Sequence, residues 1–221
     1  MGYESPMPVQ EEVIPFLLGD DNDVIALAQT GTGKTAAFGL PILQKIDVTT
    51  YHPQALVLCP TRELCLQIAD DLNDYSKYID NLKVLPVYGG SSIESQIKTL
   101  KRGVHVVVAT PGRLLDLMNR KTVDLSLVKN VIMDEADEML NMGFTDSINA
   151  ILAEVPENRN MLLFSATMPK EIANITKKYM KNPKEIVIGN KNEGNKNIRD
   201  IYYMVQARDK YLALKLSLIH I

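Results

Sequence analysis

This sequence predicts a doubly wound α/β domain built on a parallel sheet. Two features carry that reading: short apolar, β-branched runs with almost no polar alternation, and amphipathic stretches between them. Runs without alternation suit strands covered on both faces. Strand–helix–strand repetition implies right-handed crossovers, with helices packed on both sides of the sheet.

The strands are expected at Val24–Ala28, Ala55–Cys59, Lys83–Tyr88, Val104–Ala109, Val128–Met133, Asn160–Phe164 and Glu185–Ile188. Among the intervening helices, residues 61–78 place Leu64, Ile68 and Leu72 at i, i+4 and i+8, with Thr61 positioned to cap the start. Pro169 opens another helix, and Asn182-Pro183 closes it. The pattern stops near Gly189. Residues 190–200 open with Asn190–Asn197, which contains no apolar side chain and reads as a solvated linker. Beyond it, residues 201–215 hold a strand candidate at Ile201–Val205 and a helix start at Tyr211–Leu216, the expected beginning of a second domain.

Composition narrows the class. The 221 residues carry 24 Lys and Arg against 27 Asp and Glu, a net charge of −3, which excludes a strongly basic, tail-driven nucleic-acid binder. No apolar run approaches the ~20 residues of a membrane span, and the N-terminus does not read as a signal peptide, so the expected location is cytoplasmic. Cys59 and Cys65 are too few for a disulfide scaffold or a zinc site and read as packing residues. Asp20, Asp21 and Asp23 lack the spacing of a calcium loop and read as a solvated turn. His52 and His105 read as unpaired.

The first apolar run leads directly into Gln29-Thr30-Gly31-Thr32-Gly33-Lys34-Thr35, which with Ala28 has the spacing of a P-loop. Such glycines let successive backbone N–H groups form a nest around phosphate oxygens, aided by the dipole of the following helix. Lys34 would reach the β- and γ-phosphates, and the Thr35 hydroxyl would take Mg²⁺. A second apolar strand ends in Asp134-Glu135-Ala136-Asp137. A carboxylate at the carboxyl end of a parallel strand lies where such sheets bind ligands. Asp134 is therefore the candidate Mg²⁺ holder, through water, and Glu135 the candidate base for an attacking water. Taken alone, the tetrapeptide would equally describe an acidic helix start; the P-loop upstream favours the metal site.

These motifs, with others in fixed order, resemble the N-terminal RecA-like domain of DEAD-box ATP-dependent RNA helicases from residue 2 to about 189, with a further trace to Lys215; the domain is expected to span residues 1–189. Residues 2–10 are similar to the family's Q motif, and the resemblance makes Gln10 the adenine-reading residue and ATP the substrate. It assigns RNA contacts to Pro60, Thr61 and Arg62, to Gly89 and Gly90, and to Thr110, Gly112 and Arg113. Each set lies where a strand meets a turn or a helix start, suited to sequence-tolerant backbone contacts. The resemblance also couples Ser165 and Thr167 to Asp137, although Ser-Ala-Thr alone would read as a capped helix start. Two departures stand out. Met7 occupies the usual Thr position, and the family's upstream adenine-stacking aromatic has no room, so Met1 is expected to be internal to a longer protein.

The resemblance implies a partner domain, a second RecA-like unit carrying the arginines that complete the ATP site. Leu216–Ile221 is also what CTG TCT CTT ATA CAC ATC encodes, the start of a transposase adapter, so the natural sequence within this chain is expected to run only to Lys215, with residues 216–221 a sequencing artefact; the alternative is an ordinary amphipathic helix end. Two rival readings remain at this level: a related DNA helicase, and a truncated, non-catalytic ATP- or RNA-binding module.

Overall fold

The computed structural model describes residues 4–19, 22–188 and 204–219. Seven parallel strands form one sheet: β1 (Val24–Leu27), β2 (Ala55–Leu58), β3 (Val84–Val87), β4 (Val106–Ala109), β5 (Asn130–Met133), β6 (Asn160–Ser165) and β7 (Lys184–Val187). Their spatial order is β3-β4-β2-β5-β6-β1-β7. Each of the seven strands expected before Gly189 is present, with half of the ends trimmed by one or two residues and β6 and β7 each gaining one. The helices are α1 (Pro8–Gly19), α2 (Lys34–Gln44), α3 (Arg62–Tyr75), α4 (Ile93–Lys101), α5 (Pro111–Asn119), α6 (Ala136–Asn141), α7 (Thr145–Glu154), α8 (Lys170–Tyr179) and α9 (Lys210–Ile219).

Strand order and handedness together decide which helix covers which face. From β1 to β2 to β3 the chain moves one way across the sheet; from β3 through β7 it moves back. Right-handed crossovers then require α2 and α3 on one face and α4 to α8 on the other. The two cores follow that division. Val24, Ala26, Val57, Val108, Ile132 and Phe164 pack with Phe38 of α2 and Ile68 of α3. The alternate residues Ile25, Leu58, Val107, Met133 and Leu163 pack with Leu114 of α5, Ile148 of α7 and Ile172 of α8. Period-two alternation of the strands thus serves two apolar faces, which explains the near absence of polar residues within them.

Local expectations hold in detail at α3. Thr61 is extended and its Oγ1 accepts from the Leu64 N–H at 3.2 Å, while Ile68 and Leu72 are buried. Pro169 caps α8, but that helix ends at Tyr179 with Met180 as C-cap, short of Asn182-Pro183. Of the strand expected at Ile201–Val205, residues 201–203 lie outside the described residues, as do 189–200; Met204 and Val205 are in no regular element. A single 3₁₀ turn then leads into α9, so the helix expected from Tyr211 is present, with helical backbone through Ile219.

Three polar residues correct their sequence readings; the first, His52, is not unpaired but has its Nδ1 4.0 Å from Asp124 Oδ2 at the surface. Asp23 is not part of a solvated turn: it is buried, and its carboxylate accepts from the Met161 N–H at 2.6 Å and from the Lys181 N–H. It therefore ties the amino end of β1 to β6 and to the chain leaving α8. His105 is not unpaired. It is fully buried, its Nδ1 accepts from the Lys83 N–H at 3.0 Å, and its Nε2 lies 3.3 Å from the Val48 carbonyl. Those partners require the neutral Nε2–H tautomer, and burial lowers its pKa accordingly. Cys59 and Cys65 are buried and free, as expected of packing residues.

Replacing Asp23 by Ala leaves two backbone N–H groups without their acceptor, at about 1–3 kcal/mol each when buried. Urea denaturation of Asp23→Ala is expected to give a loss of about 2–5 kcal/mol, with Asp23→Asn less affected. A loss below about 1 kcal/mol would contradict this role.

Candidate functional site

The parallel sheet presents every candidate motif that follows a strand at its carboxyl edge, and the strand order sets their neighbours. β6 lies between β1 and β5, so the turns after these three strands are adjacent. Residues 28–35 follow β1, residues 134–137 follow β5, and Ser165 ends β6.

After β1 the backbone turns through Gly31 and Gly33, both with positive φ (75° and 80°). Gly33 is the N-cap of α2; a Cβ there would lie 2.4 Å from Gln10 Nε2 and displace that side chain. The Thr32 hydroxyl donates to the Gln29 carbonyl at 2.8 Å, closing the turn on itself. Thr30 and Gly31 at its outer rim are exposed. Lys34 is buried at the first turn of α2; its Nζ donates to the Ala28 carbonyl at 3.3 Å and stands 3.8 Å from Asp134 Oδ1. Sequence spacing alone could not bring that pair together. The sheet does.

Asp134 is almost fully buried, and burial pushes its carboxyl pKa up to about 6 despite the opposing pull of Lys34. Its Oδ1 accepts from the Glu135 N–H at 3.0 Å. Glu135, the N-cap of α6, is held in the left-handed region at φ 50°, ψ 50°. A non-glycine residue there carries strain of about 1 kcal/mol or more, a type of outlier that concentrates at functional sites. Together with Thr30, Gly31, Gly33 and Thr35, these side chains line a cleft of about 470 Å³ whose other wall is Leu64, Gln67, Asp71 and Tyr75 of α3. A larger hollow of about 600 Å³, between α5 and α7, shares no residue with these turns.

Gln10 reaches the turn after β1 from α1, at Gly33. It is buried, its Oε1 accepts from the Met7 N–H at 2.9 Å, and its Nε2 donates to the Gly33 carbonyl at 3.1 Å. Position 7 therefore contributes through its backbone, which the Met-for-Thr departure leaves intact. One Nε2 proton and one Oε1 lone pair remain on Gln10 beyond these two contacts.

Beside the cleft, Asp137 Oδ2 accepts from both the Thr167 N–H (3.0 Å) and the Thr167 hydroxyl (2.8 Å). The coupling expected of Ser165 takes a different form. Its hydroxyl is buried without a hydrogen-bond partner, while its carbonyl accepts from the Ala28 N–H at 3.0 Å. Ser165 thus touches the P-loop side of the site rather than Asp137, because β6 pairs directly with β1 through Leu27 and Ser165.

The other candidate set lies past β2, β3 and β4. Pro60 is buried and Thr61 is spent on its cap. Arg62 is exposed, with its guanidinium 5.1 Å above the Tyr88 ring. Gly89 and Gly90 are exposed, with Gly90 at φ 83°. Thr110 is the N-cap of α5 without a side-chain cap bond, and Gly112 is exposed in its first turn. Arg113 does not point freely outward: it donates to the Ser91 carbonyl through both terminal nitrogens, at 3.2 Å each, and to Gln96 Oε1 at 3.0 Å. Tyr88, Ser91 and Gln96 are participants that sequence reading missed. No local sequence signal marks Gln96, whose burial arises only in the fold.

Among the described residues no group of three or more His, Cys, Asp or Glu side chains could hold a metal, and no helix is long and apolar enough to cross a membrane. Comparison with known proteins gives a consistent picture. Residues 7–175 match the DEAD/DEAH box helicase family. An ATP-dependent RNA helicase DeaD of Mycobacterium tuberculosis is 51% identical over 205 residues, covering 93% of this chain and 36% of that protein. A DEAD-box ATP-dependent RNA helicase CshA of Bacillus cereus is 48% identical over 211 residues, 96% of this chain and 40% of the relative. Among solved structures, a DEAD box protein from Methanococcus jannaschii superposes with a TM-score of 0.81 at 43% identity, covering 98% of this chain and 58% of the other. A hypothetical ATP-dependent RNA helicase from Sulfolobus tokodaii gives 0.77 at 44% identity, covering 85% and 54%. The chain therefore spans well under half the length of these two curated relatives.

The raised pKa of Asp134 has a consequence for stability. The native state binds this proton more tightly than the unfolded chain, whose carboxyl titrates near 3.8, so stability falls as pH rises from about 4 to about 6 and the loss persists above. Asp134→Asn removes that slope. Its stability relative to wild type is expected to be greater at pH 7.5 than at pH 4.5, by about 1–2 kcal/mol, in denaturant titrations without ligand. A difference independent of pH would refute the assignment.

Proposed function

The chain belongs to the DEAD/DEAH box helicase family, and from that premise we propose that residues 1–189 are an ATP-binding RecA-like half of an RNA helicase. Residues 190–200 are then a linker and residues 201–215 the start of a second such domain. The observation that carries the reading is the convergence of Lys34 and Asp134, 3.8 Å apart, in one cleft beneath a glycine-built phosphate nest. Neither group has a structural reason to be desolvated. Both have a chemical one if a polyphosphate and a cation bind between them.

Ala28 to Thr35 would wrap the phosphates, with Lys34 leaving the Ala28 carbonyl and Asp134 to meet the β- and γ-phosphates. The spare donor and acceptor of Gln10 match the N6–H/N7 edge of adenine, where guanine presents two acceptors, which favours ATP. Mg²⁺ fits the residues present: Asp134 is a buried carboxylate whose negative charge is under-compensated, and Thr35 offers a hydroxyl on the facing turn. With only these protein groups, the ion would draw its remaining ligands from phosphate and water, as Mg²⁺ commonly does. It would screen phosphate charge. Glu135, half-buried on the cleft wall, would orient and deprotonate the attacking water. Thr167 on Asp137 and Ser165 on Ala28 connect the β5, β6 and β1 turns, so a change at the phosphates would reach the neighbouring loops.

Pro60, Thr61, Arg62, Gly89, Gly90, Thr110, Gly112 and Arg113 would form a surface that grips RNA by its backbone. Binding is then sequence-tolerant and compatible with a net charge of −3. The names of the relatives support this choice over DNA, and a dependence on the 2′-OH would discriminate. An intact Glu135 argues against a purely non-catalytic module. Full turnover would need arginines from the second domain, which in nucleotide hydrolases contribute ~10³–10⁵ in rate.

Calorimetric titration of the chain tests the site. Lys34→Ala is expected to lose at least about tenfold in Mg–ATP affinity, and Gln10→Ala to lose the preference for ATP over GTP. Wild-type affinity should also fall as pH drops below about 6 and Asp134 takes up its proton. The 221-residue chain should hydrolyse ATP barely and unwind no duplex; RNA-stimulated turnover at full helicase rates would contradict the division of labour.

A further inference from the structure

Gln96 is the single buried residue of α4, a helix whose remaining polar side chains face outward. A buried amide costs free energy unless its hydrogen-bonding capacity is met, and here it is met by three residues of two other segments. Its Nε2 donates to the Tyr88 carbonyl at 3.1 Å and to the Ser91 hydroxyl at 2.6 Å. Its Oε1 accepts from Arg113 Nη1 at 3.0 Å. Arg113 closes the figure by donating twice to the Ser91 carbonyl. These bonds span the two ends of the exposed Gly89-Gly90 turn and fasten it to the first turn of α5. Arg62 lies over the ring of the same Tyr88, and a Cβ on Gly90 would sit 3.5 Å from its Nη1. All three candidate RNA-contact segments therefore touch one ring of interactions, and the amide of Gln96 is its centre.

We infer that Gln96 is a positioning residue for the nucleic-acid surface: it holds the Gly89-Gly90 turn, through Tyr88 and Ser91, in fixed register with Arg113 and the start of α5. The inference rests on the RNA-binding reading of that surface. Glycine turns are the least constrained segments of a chain, and an exposed one bearing a phosphate contact would lose its shape without outside support. The nucleotide cleft lies at the turns after β1 and β5, and Gln96 touches neither.

Gln96→Leu keeps the side-chain bulk and removes every polar contact. Gln96→Glu keeps the acceptor for Arg113 but cannot donate to the Tyr88 carbonyl. In the 221-residue chain, Gln96→Leu is expected to speed amide hydrogen exchange at Gly89–Ser92. It should also weaken binding of a labelled oligouridylate of about ten nucleotides by about tenfold. Mg–ATP affinity should stay within about twofold, because those contacts lie elsewhere. Gln96→Glu should fall between Leu and wild type in both readouts, and it stands in if Gln96→Leu does not fold.

Unchanged exchange at the turn, or unchanged RNA affinity with a loosened turn, overturns the inference. A parallel fall in thermal stability and ATP affinity in both variants also overturns it, since that would mark a merely structural residue. Failure of the wild-type chain to bind oligouridylate at all would instead sink the RNA reading itself, and the inference with it.

Discussion

The handedness of the strand crossovers is the constraint on which the remaining structure depends. Once seven parallel strands take the order β3-β4-β2-β5-β6-β1-β7, right-handed connections leave no choice of face for any helix from α2 to α8. The common direction of the strands brings every strand-to-helix turn to one edge. The outcome is that residues 28, 134 and 165, far apart in sequence, end on three adjacent strands. The helices that follow those strands leave towards opposite faces, α2 to one side, α6 and α8 to the other. That divergence opens the crevice where the cleft forms.

The cleft is held at some cost to the fold. Asp134 is desolvated enough to move its titration to about 6, Glu135 adopts a left-handed backbone, and the Ser165 hydroxyl is buried without a partner. Each departs from what stability alone would favour, and all three occur at the ends of two neighbouring strands. Away from the cleft, Asp23 takes two backbone N–H groups and His105 bridges Lys83 and Val48, although Arg159 Nε is also buried without a partner. The contrast separates groups that complete the fold from groups kept available.

The same contrast explains what could be read from sequence. Strands, the cap at Thr61 and the P-loop turn depend on residues within a few positions of one another, where periodicity and spacing are informative. Asp23 and His105 were misread because their partners lie 22 to 158 residues away, and nothing local distinguishes a buried carboxylate from a solvated one. Gln96 was missed for that reason too: on a helix also bearing Glu94, Ser95, Lys98 and Lys101 it looks like one more surface residue. The Lys34–Asp134 pair was legible as two roles, but its 3.8 Å geometry was not, since it arises from strand order.

Arg62 and Arg113 show why a shared motif role need not mean a shared physical one. Both belong to segments that the resemblance assigns to RNA, yet Arg113 spends its guanidinium on the Ser91 carbonyl and Gln96, whereas Arg62 lies exposed on an aromatic ring. A guanidinium presents five donors in a rigid fork, and Arg113 uses three donor contacts to shape the turn. Lysine, with a flexible point charge, could not reproduce that planar arrangement. The positive charge at Arg113 therefore serves the geometry of the surface as much as its potential. A surface built from fixed backbone N–H groups, small hydroxyls and a few oriented guanidinium groups can meet a phosphate chain without a basic composition, because its donors are aligned before the ligand arrives.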